Sequence, residues 1–215
     1  MPLYLDLRSK RVVVFGGGEV GLRKASYLAK EAKVIVVSPD FSEDLVQSGL
    51  EFVKEDAMAN LSRWVGWADM VVAATNDRHV NERIVEECAR QSRPCNCADG
   101  VSTFLIPSTV ERDGYTVAIS TIGRSPAMSK YLRIMLEGKL TAEYDRMILL
   151  QEELRANAKG KIALQKDRER FLWEVLQDED IWQEIRSGDI DAARRLAEAR
   201  MVRYLGNDTE CAHNS

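Results

Sequence analysis

Cysteine and histidine are scarce in these 215 residues, four of the first and two of the second, and that scarcity removes several classes of protein at once. Cys88, Cys95, Cys97 and Cys211 follow no disulfide-scaffold spacing, so reduced thiols are expected. Cys95-x-Cys97 alone has a metal-like spacing. A zinc site asks for four ligands, however, and His79 and His213 are far away in sequence, so no metal site is expected and the pair reads as small apolar side chains on a strand. Long apolar runs are missing too, which excludes a membrane-spanning helix. The opening Met1-Pro2-Leu3-Tyr4-Leu5-Asp6-Leu7 has no basic start, apolar stretch or cleavage site of a signal peptide, and a cytoplasmic location is expected. Positive charge is in deficit: the net charge of -4 argues against a general nucleic-acid binder, which would carry a basic face.

What is present is ordinary globular composition, 45% hydrophobic and 30% charged, in a length that suits one nucleotide-sized domain with a smaller appendage. The most informative stretch is Val12 to Lys24, an apolar strand running into Gly16-Gly17-Gly18-Glu19-Val20-Gly21 and then a helix. In a dinucleotide-binding turn Gly16 permits the sharp bend, Gly18 lets the backbone approach a pyrophosphate, and Gly21 lets the helix pack on the sheet. The alternative, a plain strand-to-helix turn, needs no ligand. The buried-strand flank favours the cofactor reading.

Further along, Lys33 to Val37 is a continuous β-branched run of the kind a doubly covered parallel strand shows. Leu50 to Lys54 is a weaker third strand, Asp69 to Ala74 a strong fourth, and Pro94 to Ala98 a short fifth. Helical patterns are expected over 20–30 and 80–91. This alternation predicts a parallel sheet with right-handed crossovers. From residue 101 the pattern changes: Thr103 to Val110 and Tyr115 to Ser120 read as strands around the turn Arg112-Asp113-Gly114. Ser125-Pro126 then reads as a helix cap with proline at the first helical position. Beyond Thr141 the spacing is helical throughout, with Ser187-Gly188-Asp189 as a stop and restart, and Gly206 to Ser215 form a polar, disordered tail.

The end of the second strand should meet the adenine ribose. Ser38 stands there, followed by Pro39 and Asp40, and the loop through residue 45 adds Glu43 and Asp44 but no base. A 2'-phosphate would meet repulsion, so NAD is expected over NADP. Thr75-Asn76-Asp77 closes the fourth strand on the ligand edge of the sheet and can line a cofactor, although Asn and Asp also simply form turns. Asp99 closes the fifth strand on the same edge. A partly buried carboxylate there can take a proton while a hydride leaves for the cofactor; read alone, Asp-Gly is a turn. Residues 122–140 carry Arg124, Lys130, Arg133 and Lys139 against the single acid Glu137, a local charge of +3, which suits either a polyanion or a solvated basic helix face.

Taken together the chain resembles the siroheme synthase N-terminal family of precorrin-2 dehydrogenases. The resemblance is carried by Val12 to Lys24, by Ala73-Ala74-Thr75-Asn76-Asp77 with Val80-Asn81, by Cys95-Asn96-Cys97-Ala98-Asp99, by Phe104-Leu105-Ile106-Pro107-Ser108, and by Ala118-Ile119-Ser120-Thr121 leading to Gly123-Arg124-Ser125-Pro126. It covers about residues 1 to 140 well. It implies an α/β fold: a Rossmann-type parallel sheet, a β/α segment that dimerises by intertwining, and a small all-helical domain. The corresponding ranges are 1–112, 113–140 and 141–205, with 206–215 as tail. It further implies a homodimer, NAD as cofactor, precorrin-2 as the tetrapyrrole substrate, ferrous iron as a further substrate in some members, Asp99 as the catalytic aspartate, and Ser125 at a position some members phosphorylate. Cofactor contacts are expected from Gly16, Gly18, Glu19, Val20, Gly21, Ser38, Pro39, Asp40, Thr75 and Asn76. Contacts to the carboxylate-rich substrate are expected from Asn96, Arg124, Ser125, Lys130 and Arg133. The alternative from another class is an NAD-binding sensor that turns nothing over.

Overall fold

Val12, Val13, Val14 and Phe15 follow one another without a polar break, and a strand can bury all four only if both of its faces are covered. Each is 0% exposed. The computed structural model of the chain describes residues 2–41 and 50–205, so Glu43, Asp44 and the tail from Gly206 lie outside the described residues. Five strands, β1 (Arg11–Gly17), β2 (Lys33–Phe41), β3 (Glu51–Lys54), β4 (Met70–Ala73) and β5 (Cys95–Cys97), form one parallel sheet of order β3-β2-β1-β4-β5. Helix α1 (Glu19–Leu28) packs on one face through Leu22, Ala25 and Leu28 against Val12, Val14 and Val36. Helices α2 (Leu61–Trp67) and α3 (Arg78–Arg90) cover the other, where Trp64, Val65 and Ile84 meet Val13, Phe15 and Val71. Alternate residues of β1 thus point into two separate cores.

Because β1 lies between β2 and β4, the chain winds outward in both directions from it, and the crevice above the C-terminal ends of β1 and β4 is where such sheets take ligands. The chain divides into two compact units at Ile106/Pro107, the first of them holding this sheet.

In the second unit, β6 (Ser108–Glu111) and β7 (Thr116–Ile119) form an antiparallel hairpin. Among the described residues five α-helices follow, α4 (Pro126–Lys139), α5 (Ala142–Lys159), α6 (Gln165–Gln177), α7 (Glu179–Ser187) and α8 (Ile190–Met201), with a short 3-10 helix (Val202–Tyr204) after them. Ser125 caps α4 by accepting from the Met128 N–H, with Pro126 in the first turn. The expected break at 187–189 is real: Gly188 ends α7 at φ +90°, and Asp189 caps α8 by accepting from the Ala192 N–H. Leu150, Leu154, Phe171, Val175, Ile181 and Ile185 fill the core of this helical part.

Two differences from the sequence reading have local causes. Helix α2 was not expected, because seven residues give only one repeat of the spacing at Leu61, Trp64 and Val65, and Asn60 makes no side-chain cap bond. The strand expected from Thr103 begins only at Ser108. Thr103 does lie along β5, donating its N–H to the Cys95 carbonyl at 2.8 Å, but its hydroxyl, not a ladder carbonyl, takes the Cys95 N–H at 2.8 Å. That substitution ends the regular pairing.

Candidate active site

The three glycines of the first turn answer three different constraints. Gly16 has φ +117°, and a Cβ there would stand 2.2 Å from the Ala74 carbonyl oxygen, so β1 and the end of β4 approach at a distance only glycine allows. A Cβ on Gly21 would stand 2.1 Å from the Gly16 carbonyl oxygen, which fixes how closely α1 sits on the turn. Around Gly18 a Cβ would meet nothing within 4 Å. That space is open, and Gly18 is the N-cap of α1, whose first turn carries Glu19 and the 41% exposed Val20. The helix N-terminus and the open backbone suit a pyrophosphate.

A cavity of about 510 Å³ opens from this turn, bounded by Gly16 to Gly18, by Val37 to Phe41 at the end of β2, and by Ala74 to Asp77 with Val80 after β4. Its size and lining fit a dinucleotide's adenosine half and phosphates. Ser38 is turned inward, its hydroxyl donating to the Asp40 carbonyl at 2.6 Å, so it shapes the strand end. Pro39 and Asp40 are exposed. One feature of this edge was invisible in the loop's own sequence: Lys54, from the neighbouring β3, pairs with the Asp40 carboxylate at 3.6 Å. The ribose edge therefore does have a base beside it, and the acid is partly offset.

After β4, Thr75 is half-buried and Asn76 exposed, whereas Asp77 is occupied as the N-cap of α3, accepting from the His79 N–H at 2.8 Å. Asp99 lies just past β5. It is exposed, so the partial burial expected for it is not supplied within this unit. Its Oδ1 nevertheless receives two donors, Nδ2 of Asn81 at 3.0 Å and the Cys97 thiol at 3.3 Å. Burial pushes the Cys97 thiol above its ordinary value, and the neighbouring carboxylate adds to the effect, which keeps the sulfur a donor. Asn96 is buried, and both ends of its amide are engaged: Lys24 Nζ donates to Oδ1 at 2.7 Å, while Nδ2 donates to the Phe104 carbonyl at 2.9 Å. Burial holds the Lys24 ammonium below its ordinary range.

Arg124, Ser125, Lys130 and Arg133 belong to the second unit. Arg124 and Lys130 are exposed, Ser125 is the α4 cap, and Arg133 pairs with Glu137 at 2.6 Å, which offsets part of the local positive charge. Sequence reasoning assigned no role to Lys24 or Asn81. Both stand inside stretches that were singled out, but only the fold shows that their side chains reach the end of β5.

Among the described residues no group of His, Cys, Asp and Glu could hold a metal ion, and no helix is long and apolar enough to cross a membrane. Sheet order, glycine turn and cavity together define a Rossmann-type nucleotide-binding protein with a carboxylate at the ligand edge. Residues 3–108 match the family described as "Putative NAD(P)-binding". The chain is 36% identical to a precorrin-2 dehydrogenase of Methanosarcina barkeri across 96% of each chain. It is 35% identical to a siroheme synthase of Thioalkalivibrio sulfidiphilus across 98% of its own length, spanning 43% of that longer protein. In fold it superimposes on a solved structure, "SirC, precorrin-2 dehydrogenase", with a TM-score of 0.70 at 22% identity, covering 93% of this chain and 99% of that one. The chain belongs to the precorrin-2 dehydrogenase family.

Proposed function

We propose that this chain oxidises precorrin-2 to sirohydrochlorin with NAD, in the synthesis of siroheme or a related tetrapyrrole. The observation that carries the reading is the joining, within one unit, of a glycine turn open at Gly18 to a carboxylate, Asp99, anchored at the same sheet edge. Likeness to a precorrin-2 dehydrogenase over nearly the whole of both chains supports the substrate. Bound in the cavity, NAD supplies the hydride acceptor. The chain's own residues do the remainder: Gly16, Gly18 and the start of α1 hold the phosphates, Thr75 and Asn76 line the pocket past β4, and Asp99 takes the proton that leaves the macrocycle as the hydride departs. Precorrin-2 carries eight carboxylates, for which Arg124, Lys130 and Arg133 offer charge-assisted partners. Asn96, expected as a further substrate contact, is buried with both ends of its amide engaged and its backbone within the β4–β5 pairing, so its part is to hold Lys24 and the Phe104 segment beside the site. Mixing the protein with NAD and enzymatically made precorrin-2 should give the spectrum of sirohydrochlorin together with the absorbance of NADH. NAD binding with no spectral change would instead mark a sensor.

NAD is the expected cofactor, with an efficiency about tenfold or more above NADP, because a 2'-phosphate would sit beside Asp40. Lys54 makes this preference fragile. Asp40→Ala would leave Lys54 without its acidic partner, so the ratio should narrow severalfold, as read from kcat/KM with each cofactor. A ratio unmoved by the substitution would place the ribose elsewhere.

The same reading takes the chain as a cytoplasmic two-fold homodimer built on residues 113–140, flanked by a nucleotide domain over 1–112 and a helical domain over 141–205. Helix α4 supports it: Met128, Tyr131, Ile134 and Met135 recur at helical spacing and are 45%, 61%, 54% and 38% exposed, an apolar stripe that single chains seldom leave in water. Light scattering should report twice 24.3 kDa at micromolar concentration; a monomer mass would reject the dimer. Ferrous iron is proposed as a second substrate, the macrocycle supplying its four nitrogens and Asp99 accepting displaced protons.

A further inference from the structure

Asn81 is 0% exposed, and a buried primary amide must place two donors and a carbonyl oxygen among partners. Its Oδ1 accepts from the Thr75 backbone N–H at 3.0 Å and from the Thr75 hydroxyl at 2.8 Å. Because that backbone N–H can only donate, the orientation of the amide is settled: the oxygen faces Thr75, and the opposite end is the NH2 group. This nitrogen donates to the Thr75 carbonyl at 3.1 Å and to Asp99 Oδ1 at 3.0 Å. Thr75 alone could have shared its N–H and carbonyl with any backbone segment. The last donor instead leaves the buried cluster and ends on an exposed carboxylate eighteen residues away.

We infer that Asn81 is a positioning residue for the oxidation, holding Asp99 by Oδ1 against the cofactor-lining end of β4 so that Oδ2 is the oxygen that takes the proton. The inference rests on the reading of Asp99 as proton acceptor. An exposed aspartate samples several rotamers, and a base works only when it stays within reach of the proton it removes. The Cys97 thiol, donating to the same oxygen at 3.3 Å, reinforces the arrangement. With both donors on Oδ1, the second oxygen is the one left for chemistry. Thr75 lines the cofactor cavity and Asp99 closes β5, so one amide sets the spacing between cofactor and base.

The test is steady-state oxidation of precorrin-2 across pH for Asn81→Asp and Asn81→Ala, each alone and combined with Asp99→Asn. Asn81→Asp keeps the shape and the acceptor for Thr75 but sets a carboxylate against a carboxylate, and two so close do not both ionise readily. The acid limb of kcat/KM should therefore move up by about one pH unit or more, and kcat near neutrality should fall about tenfold, with the NAD dissociation constant within about threefold of wild type. A residue that only supported the fold would lower activity without moving the limb. Asn81→Ala should lower kcat as well, and on the Asp99→Asn background neither substitution should cost more than about twofold. If Asn81→Ala fails to fold, the near-isosteric Asn81→Asp carries the test. An unmoved limb, or losses that simply multiply with that of Asp99→Asn, would overturn the inference while leaving Asp99 as the base. Near-normal turnover of Asp99→Asn alone would overturn the proton-acceptor reading, and this inference with it.

Discussion

Asp99→Asn is expected to lower precorrin-2 oxidation by about a hundredfold or more while NAD binds as in the wild type. The amide has the shape of the carboxylate but cannot take up the departing proton. Its carbonyl oxygen can still receive both Asn81 Nδ2 and the Cys97 thiol, so the loop after β5 keeps its anchor. Asp99 is exposed, so the exchange introduces no buried unpaired group, and thermal stability should change by less than about 1 kcal/mol. The cofactor cavity is bounded by the glycine turn and the ends of β2 and β4, with Asp99 outside its lining, which is why binding and turnover should separate. The measurement pairs an NAD titration with the rate of the spectral change on adding precorrin-2. Turnover within about threefold of wild type would remove Asp99 from the proton step. A parallel loss of NAD affinity would show that the carboxylate acts on the pocket rather than on the substrate.

The parts of the site legible in the sequence are those fixed by local geometry. Gly16, Gly18 and Gly21 serve one turn, and their spacing alone states what the turn must do; Ser125 and Asp189 are helix caps for the same local reason. The continuous apolar runs in β1, β2 and β4 likewise announce a sheet covered on both faces. What escaped the sequence depends on strands brought side by side. Lys54 stands fourteen positions from Asp40 and reaches it only because β3 lies alongside β2 in parallel register, with Ser38 opposite Lys54. Lys24 lies on α1 and finds Asn96 seventy-two residues on, because that helix packs on the sheet face that β1 shares with Val72 of β4, and β5 lies next to β4. Asn81 stands in a stretch that carries the family resemblance, and its tie to Asp99 follows from where β5 ends. The misread strand at Thr103 is the opposite case, where a local side-chain bond displaced the ladder that the residue pattern suggested.

Gly16→Ala and Gly18→Ala should fail in different ways, and the contrast tests whether the turn is built for a ligand or only for a bend. At Gly16 the new Cβ would lie 2.2 Å from the Ala74 carbonyl oxygen and 2.6 Å from its carbon, both rigid backbone atoms of the sheet, with φ at +117°. Backbone strain and overpacking each contribute about 1 to 3 kcal/mol, so a loss of about 3 kcal/mol or more is expected in urea unfolding, along with the loss of NAD binding. Gly18 has φ -83°, which alanine adopts freely, and its Cβ would meet no protein atom within 4 Å. Gly18→Ala should therefore unfold at nearly the wild-type urea concentration. Its methyl would occupy the space through which a pyrophosphate reaches the backbone at the start of α1, so NAD affinity should fall by about a hundredfold, as read by calorimetric titration. Wild-type affinity in Gly18→Ala would mean that the phosphates do not approach this backbone, and the open space at the helix start would then belong to the bend alone.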